Sequence, residues 1–264
     1  PKPTSDAQQR AQTEAFLGLS QIAEKRKNFA LAEKWLERIE NPGDRIIITT
    51  RRAQLLARQG RMEQARELIQ AWPAATPADE RTRLMAEVQL LRENGKLVEA
   101  YELLGAAIQR KPEDHELLYD QALVAEKMGN FEAMERLLRA LIAAKPDYHH
   151  AYNALGYSFA DRNIRLAEAR QLINKALEFA PDDPMIRDSL GWVEFRSGNT
   201  SEALKILQSA YKARPDADIA AHLGEVLWVS GQREQALTVW KEGLREGSES
   251  ETLTETLRRF QVNP

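Results

Sequence analysis

The chain has 264 residues, of which 43% are hydrophobic and 29% are charged, and its formal net charge is −3. This balance predicts a folded protein rather than a disordered chain. It offers no concentrated positive charge, so nucleic-acid binding is not expected. Cysteine is absent, which excludes disulfide bonds, thiolate metal sites and a cysteine nucleophile.

The N-terminal segment reads PKPTSDAQQR, without an initiator methionine or an apolar signal sequence. We therefore expect a fragment or a processed product from which any targeting signal has been removed. The sequence contains no apolar run of about 18 residues, so no membrane-spanning helix is predicted.

Three series of residues recur at spacings of 33 to 35 residues along the chain. One series consists of prolines: Pro77, Pro112, Pro146, Pro181 and Pro215. The second consists of turn residues: Gly60, Gly95, Gly129, Asn163, Gly198 and Gly231. The third consists of small or slim residues: Ala32, Ala65, Ala100, Met134, Ala169, Ala203 and Ala236. The shared period predicts seven units of paired helices, and the lack of period-two alternation predicts no strand.

The seven units are expected near residues 11–42, 45–77, 80–112, 114–146, 148–181, 183–215 and 217–247, in an array that covers residues 1–248. Each unit should contain a first helix of about 14 residues, a tight turn and a second helix of similar length. A carboxylate near each proline can cap the first helix; the candidates are Glu113, Asp147, Asp182, Asp183 and Asp216. The fifth unit has one extra residue in its turn, within residues 161–165.

The two ends of the array differ. Residues 249–264 are predicted to form a capping helix, because Leu253, Leu257 and Phe260 lie at positions i, i+4 and i+7. Near the N-terminus, the apolar side chains Phe16, Leu19 and Ile22 have no covering helix that the sequence reveals. We therefore expect further repeats or a flexible anchor segment before residue 1.

Gly156 lies within a predicted helix, where glycine costs about 1 kcal/mol relative to alanine. Gly191 and Gly224 occupy the same position in the next two units, and each faces an alanine of its second helix. Small facing residues let two helices approach closely. A phosphate-binding glycine would need a preceding strand, so the sequence predicts a packing role.

The spacing resembles that of the tetratricopeptide repeat (TPR). The fifth unit carries the family pattern most completely, in Tyr152, Leu155, Gly156, Phe159, Ala169, Ile173, Ala176 and Pro181. The sixth unit follows it, whereas the seventh has Gly243 and Ser248 where alanine and proline are usual. The resemblance implies an all-α fold, a right-handed superhelical solenoid of about seven repeats with a C-terminal capping helix.

In the family pattern, two positions of each first helix, four residues apart, line a concave binding surface. Here these positions are Thr50, Gln54, Met85, Gln89, Tyr119, Leu123, Asn153, Tyr157, Asp188, Trp192, Ala221 and Glu225. The partner-binding residues predicted among them are Gln54, Gln89, Tyr119, Asn153, Tyr157, Asp188, Trp192 and Glu225. Aromatic and amide side chains suit an extended or helical peptide. Alternatively, Tyr157 and Trp192 pack between adjacent repeats.

Reactive groups do not converge in the sequence. The four histidines are His115, His149, His150 and His222, and no metalloprotease, serine-hydrolase or cation-loop motif occurs. The carboxylates are dispersed along predicted helix surfaces, which indicates solvated faces. We therefore expect no catalytic residue, no metal site, no cofactor and no enzymatic activity.

The C-terminal third, from HAYNALGYSFADRN (150–163) to IAAHLGEVLWVSGQ (219–232), resembles a group of Gram-negative TPR lipoproteins. The resemblance implies a periplasmic protein held at the outer membrane by a lipid anchor that this sequence lacks. It also implies an adaptor that activates a carboxyl-terminal processing protease and delivers peptidoglycan hydrolases to it. The alternative is a structural organiser of an envelope or secretion assembly, without substrate delivery.

Overall fold

The computed structural model describes residues 6–39, 45–247 and 250–264. Within these ranges every regular element is an α-helix; there are fifteen helices and no strand. The chain forms two compact units, Pro1–Asn130 and Phe131–Pro264. The predicted all-α fold of helical hairpins with a C-terminal helix is confirmed for the described residues.

Unit 1 contains three hairpins, α1 with α2, α3 with α4 and α5 with α6, and then α7. The bounds of α1 to α7 are Asp6–Lys25, Phe29–Leu36, Arg45–Arg58, Met62–Gln70, Pro77–Glu93, Leu97–Arg110 and His115–Lys127. Helices α2 and α4 have eight and nine residues, fewer than predicted. Pro73 contributes to the early end of α4, because the residue before a proline avoids the helical conformation. The predicted end of the first repeat, near residue 42, lies outside the described residues.

Unit 2 begins with α8, continues with the hairpins α9 with α10, α11 with α12 and α13 with α14, and ends with α15. The bounds of α8 to α15 are Phe131–Ala144, His149–Asp161, Leu166–Phe179, Pro184–Arg196, Thr200–Ala213, Ala217–Val229, Arg233–Glu246 and Glu251–Phe260. Seven of these eight helices have 13 or 14 residues, close to the predicted length, and α15 has ten. Ser248 and the predicted array boundary at 248–249 lie outside the described residues.

Aspartates cap three first helices by accepting hydrogen bonds from backbone N–H groups of the first turn. The prediction is correct for Asp183 and Asp216. At α7 the capping residue is Asp114 rather than its neighbour Glu113. Helix α9 follows Tyr148, whose side chain makes no capping bond, so neither Asp147 nor Asp182 serves as an N-cap. A cap must directly precede the first helical residue, and the spacing from proline did not locate that residue.

Residues in the left-handed conformation form the tight turns between paired helices. All six predicted turn residues have positive φ angles, from 56° to 87°: Gly60, Gly95, Gly129, Asn163, Gly198 and Gly231. In the turn between α1 and α2 the left-handed residue is Lys27, with φ of 57°. In the turn between α9 and α10, Arg165 is left-handed as well as Asn163, with φ of 46°. Its guanidinium donates hydrogen bonds to Glu135, and these lower the pKa of Glu135 to about 2.

Glycines of the first helices allow close contact with the second helices. A Cβ atom at Gly156 would lie 2.9 Å from the carbonyl oxygen of Ala169, and one at Gly224 would lie 2.1 Å from Trp240 Nε1. A Cβ atom at Gly191 would lie 2.6 Å from its nearest neighbour, Leu207 Cγ. Real Cβ atoms do not come this close to other atoms. With a larger residue in place of these glycines, the second helices could therefore not approach the first helices as closely. The prediction that Gly156 is a packing residue is confirmed, but the predicted facing alanine is wrong at Gly191 and Gly224, whose nearest side chains are Leu207 and Trp240.

Helix α15 packs on the last hairpin through the predicted stripe. Leu253 and Leu257 are buried in one core cluster with Trp240. The ring of Phe260 lies 5.7 Å from that of Trp240, between centroids. This packing removes the apolar surface of α13 and α14 from water.

The prediction that Phe16 lies uncovered is wrong. Its ring stacks on Trp35 of α2 with 5.8 Å between centroids, and the guanidinium of Arg38 lies over both rings. Leu19 and Ile22 do remain exposed, by 37% and 50%. The first hairpin thus covers one of these three side chains by itself.

The substitution Gly224→Ala should destabilise the fold by about 1–3 kcal/mol, because the new methyl group meets the rigid, fully buried indole of Trp240. Urea unfolding followed by circular dichroism measures the change. Gly18→Ala is the matched helical control, since a Cβ there meets nothing within 4 Å. Its stability should be unchanged or higher by up to about 1 kcal/mol. Equal losses in the two variants would contradict the packing role.

Candidate partner-binding surfaces

A groove of about 670 Å³ crosses the first helices of the three hairpins in unit 1. Two rows of side chains, four residues apart on each helix, contribute to its lining. One row is Leu17, Thr50 and Met85, and the other is Gln21, Gln54 and Gln89. The structure therefore brings together the positions that the sequence predicted on α3 and α5, and it adds those on α1.

A chain of hydrogen bonds connects the polar side chains of this groove. Arg51 Nη1 donates to Gln54 Oε1 at 2.8 Å, and Gln54 Nε2 donates to Glu93 Oε2 at 2.9 Å. Gln89 Nε2 donates to the other carboxylate oxygen of Glu93 at 2.8 Å. Arg51 also forms an ion pair with Glu24 of α1, and the side chain of Glu24 is buried. The amide side chains are therefore held in fixed orientations.

Tyr119 does not line the groove. It lies on α7, where its side chain is half-buried. Its predicted role in partner binding stays a prediction.

A buried histidine joins three first helices in unit 2. His222 Nδ1 of α13 lies 2.8 Å from Asp188 Oδ2 of α11, and His222 Nε2 lies 3.2 Å from the hydroxyl of Tyr157 on α9. The ring of Trp192 stacks on the imidazole with 4.4 Å between centroids. The sequence did not predict this role for His222. A repeat spacing of 34 residues between Asp188 and His222 is the signal that could have revealed the contact.

The pKa values of His222 and Asp188 depend on their burial and on the attraction between their opposite charges. Burial alone lowers the pKa of His222, but the charge and hydrogen bond of Asp188 outweigh it, and the pKa is raised above 6.5. Burial raises the pKa of Asp188 above 3.8, and His222 opposes that rise. With both ring nitrogens protonated, His222 donates to Asp188 and to the hydroxyl of Tyr157.

Glu225 of α13 is held by the C-terminal helix. Its side chain is 5% exposed and forms an ion pair with Arg259 of α15. Burial raises the pKa of Glu225, while the positive charge of Arg259 opposes that rise. This contact joins α15 to the first helix of the last hairpin.

Burial corrects the predicted exposure of three candidate residues. Asp188, Trp192 and Glu225 are 3%, 2% and 5% exposed, so their side chains are not available on an open surface. For Trp192 the packing alternative applies, because its ring stacks between elements of adjacent repeats. Tyr157 and Asn153 are half-buried, and Asn153 Oδ1 has no hydrogen-bond partner within the described ranges. Partner binding by these two residues stays a prediction.

No described part of the chain groups three or more histidine, aspartate or glutamate side chains so that they could hold a metal ion. Among the described helices, none is long and apolar enough to cross a membrane.

The tetratricopeptide repeat model matches residues 48–80, 119–184 and 189–251, which is more than half of the chain. The chain belongs to the tetratricopeptide repeat family. TPR units typically mediate contacts between proteins, so membership in the family indicates a protein–protein interaction scaffold. The unmatched residues 81–118 include Val88, a buried residue at the position that glycine occupies in the fifth to seventh repeats.

A relative in Pseudomonas aeruginosa, the TPR repeat-containing protein PA4667, is 35% identical over 211 residues. The alignment covers 80% of this TPR chain but 36% of the relative, so the chain spans about a third of the relative's length.

Two solved structures share the fold. A TPR protein from Parabacteroides merdae superposes with a TM-score of 0.63 at 17% identity, covering 96% of this chain and all of that one. The protein TTC0263 from Thermus thermophilus gives a TM-score of 0.59 at 20% identity, covering 66% of this chain and 96% of that one. At these identities the likeness shows the fold alone.

The substitution Arg259→Met should lower the free energy of unfolding by about 1–3 kcal/mol, because it leaves the buried carboxylate of Glu225 without its ion-pair partner. Arg258→Met, one residue away, removes a pair with the exposed Glu255 and should change stability by less than about 0.5 kcal/mol. Urea unfolding compares the two variants. Indistinguishable stabilities would show that the contact between Arg259 and Glu225 contributes nothing.

The pair of His222 and Asp188 should make stability depend on pH. Because the folded-state pKa of His222 is raised above 6.5, its stabilisation is complete below about pH 6.5 and is lost as pH rises through the folded-state pKa. The wild type should therefore lose more stability between about pH 5.5 and 8.5 than the double variant Asp188→Asn/His222→Gln. Parallel profiles in urea unfolding would refute this assignment.

Proposed function

We propose that this protein is a non-enzymatic adaptor that holds a segment of a partner protein in the groove of unit 1. The observation that carries this proposal is the groove itself, which is open and lined by apolar and amide side chains from three consecutive hairpins. Such a surface offers contact area together with oriented hydrogen-bonding groups.

Two features of the groove support a protein partner. Ile47 is 47% exposed on α3, and a partner side chain that covers it would be removed from water. The amides of Gln54 and Gln89 are already ordered by Glu93, so binding would cost little further side-chain entropy.

The absence of enzymatic activity is part of the proposal. The histidine–carboxylate pair of His222 and Asp188 is the arrangement most similar to a catalytic dyad in the described residues of unit 2. Both side chains are about 3% exposed, so a substrate would not reach the imidazole. A general base must lie within hydrogen-bond reach of its substrate, and this pair instead stabilises the packing of three helices.

The more specific role comes from the resemblance of the C-terminal third to Gram-negative TPR lipoproteins. On that basis we propose a periplasmic adaptor, lipid-anchored at the outer membrane in its full-length form. It would activate a carboxyl-terminal processing protease and bring peptidoglycan hydrolases to it. Membership in the TPR family supports the scaffold role, and the resemblance alone supports the location and the partners.

Ile47→Glu should weaken partner binding by roughly tenfold or more, because it places a charge on the apolar side of the groove. The matched control is Val98→Glu on α6 of the same unit, which is 56% exposed and does not line the groove. Retention of the protease or of a hydrolase on the immobilised chain, measured by interferometry, checks the difference. Equal retention by both variants would contradict binding in the groove.

A second assay separates the adaptor from the structural organiser. The rate at which a purified carboxyl-terminal processing protease cleaves a peptidoglycan hydrolase is measured with and without the TPR chain. An adaptor increases this rate, and Ile47→Glu removes the increase. A protease that binds but whose rate does not change would favour the structural organiser.

A further inference from the structure

The hydrogen bonds in the groove of unit 1 have a single possible direction. Arginine can only donate hydrogen bonds, so Gln54 must turn its carbonyl oxygen toward Arg51 and its NH₂ group toward Glu93. An ionised carboxylate can only accept, so Gln89 must also turn its NH₂ group toward Glu93. The charges of Arg51 and Glu93 therefore determine the orientation of both amides.

This direction leaves acceptors without a protein partner at one end of the groove. Gln89 Oε1 has no hydrogen-bond partner among the described residues, and none of their lysines or arginines forms an ion pair with Glu93. Glu93 and Gln89 are both exposed. Glu93 borders the groove through its bonds to the lining residues Gln54 and Gln89, so this end presents a negative charge and a carbonyl oxygen.

The cations of the groove do not neutralise this charge. Arg51 pairs with Glu24. Arg81 pairs with Asp114 and Glu116 through two different nitrogens, at 2.5 and 2.7 Å. Both guanidinium groups already have carboxylate partners, so neither is the partner of Glu93.

The opposite row of the groove is apolar at α1 and α5. Leu17 and Met85 line it together with the exposed Ile47. A partner segment that fills the groove must therefore place apolar side chains on this row and a hydrogen-bond donor at Gln89 and Glu93.

We propose that the groove binds an extended polypeptide segment that carries a lysine or arginine beside apolar residues. The inference rests on the proposed function and names the chemistry of the partner. The cation pairs with Glu93 and donates to Gln89 Oε1, a charge-assisted bond that is stronger than a neutral one. An extended segment leaves its backbone N–H groups free to reach the glutamine amides, whereas most of those in a helix are already bonded.

Fluorescence anisotropy with labelled nine-residue peptides tests this inference. One peptide has a single lysine between leucine and valine residues, the second has acetyl-lysine at that place, and the third has glutamate. The lysine peptide should bind most tightly and the glutamate peptide most weakly. Glu93→Gln should weaken binding of the lysine peptide by roughly tenfold and that of the acetyl-lysine peptide by clearly less, because the second peptide loses only the ordering of the two amides.

The matched control is Glu102→Gln, which removes an exposed carboxylate from α6 of the same unit; unlike Glu93, it forms no hydrogen bond with a described residue of the groove. It should leave all three affinities unchanged. Equal affinities for the three peptides, no binding of any of them, or equal effects of the two variants would each overturn the inference.

The outcomes also distinguish this inference from the proposed function. If Ile47→Glu abolishes partner binding while Glu93→Gln changes nothing, the groove binds proteins but the preference for a cation is wrong. If Ile47→Glu leaves partner binding intact, the groove is not the docking site and the inference falls with the proposal.

Discussion

Close contact between the two helices of a hairpin is the constraint on which the rest of this structure depends. In the hairpins of unit 2 the contact is made at Gly156, Gly191 and Gly224, where any Cβ atom would meet the facing helix. The contact determines the rotation of each first helix about its axis, and hence which residues face the neighbouring hairpin. Val88 takes this place in α5, within residues 81–118, which the family model does not match.

Packing in this manner buries carboxylates that belong to the first helices. Glu24, Glu87, Glu194 and Glu225 are all less than about a tenth exposed, and each pairs with an arginine of another helix: Arg51 and Arg58, Arg66, Arg170, and Arg259. A buried carboxylate without a partner is strongly unfavourable. These pairs therefore connect neighbouring helices and complement the apolar cores.

The first helices of the two units present different surfaces. In unit 1 they leave an open groove whose amides are oriented by Arg51 and Glu93. In unit 2 the equivalent positions are largely closed, because His222 draws Asp188, Tyr157 and Trp192 into one cluster. Binding of a partner segment thus suits the groove of unit 1, while the cluster of unit 2 stabilises its own helices.

The sequence by itself determined the helical hairpins, their turns, the packing glycines and the C-terminal helix. These features depend on local chemistry that repeats every 33 to 35 residues, such as the positive φ at Gly129 or the stripe of Leu253 and Leu257. Only the tertiary structure decided which lining positions are open. Exposure of Gln89 or burial of Trp192 depends on side chains of neighbouring repeats, such as His222, and a single-repeat pattern does not contain those contacts.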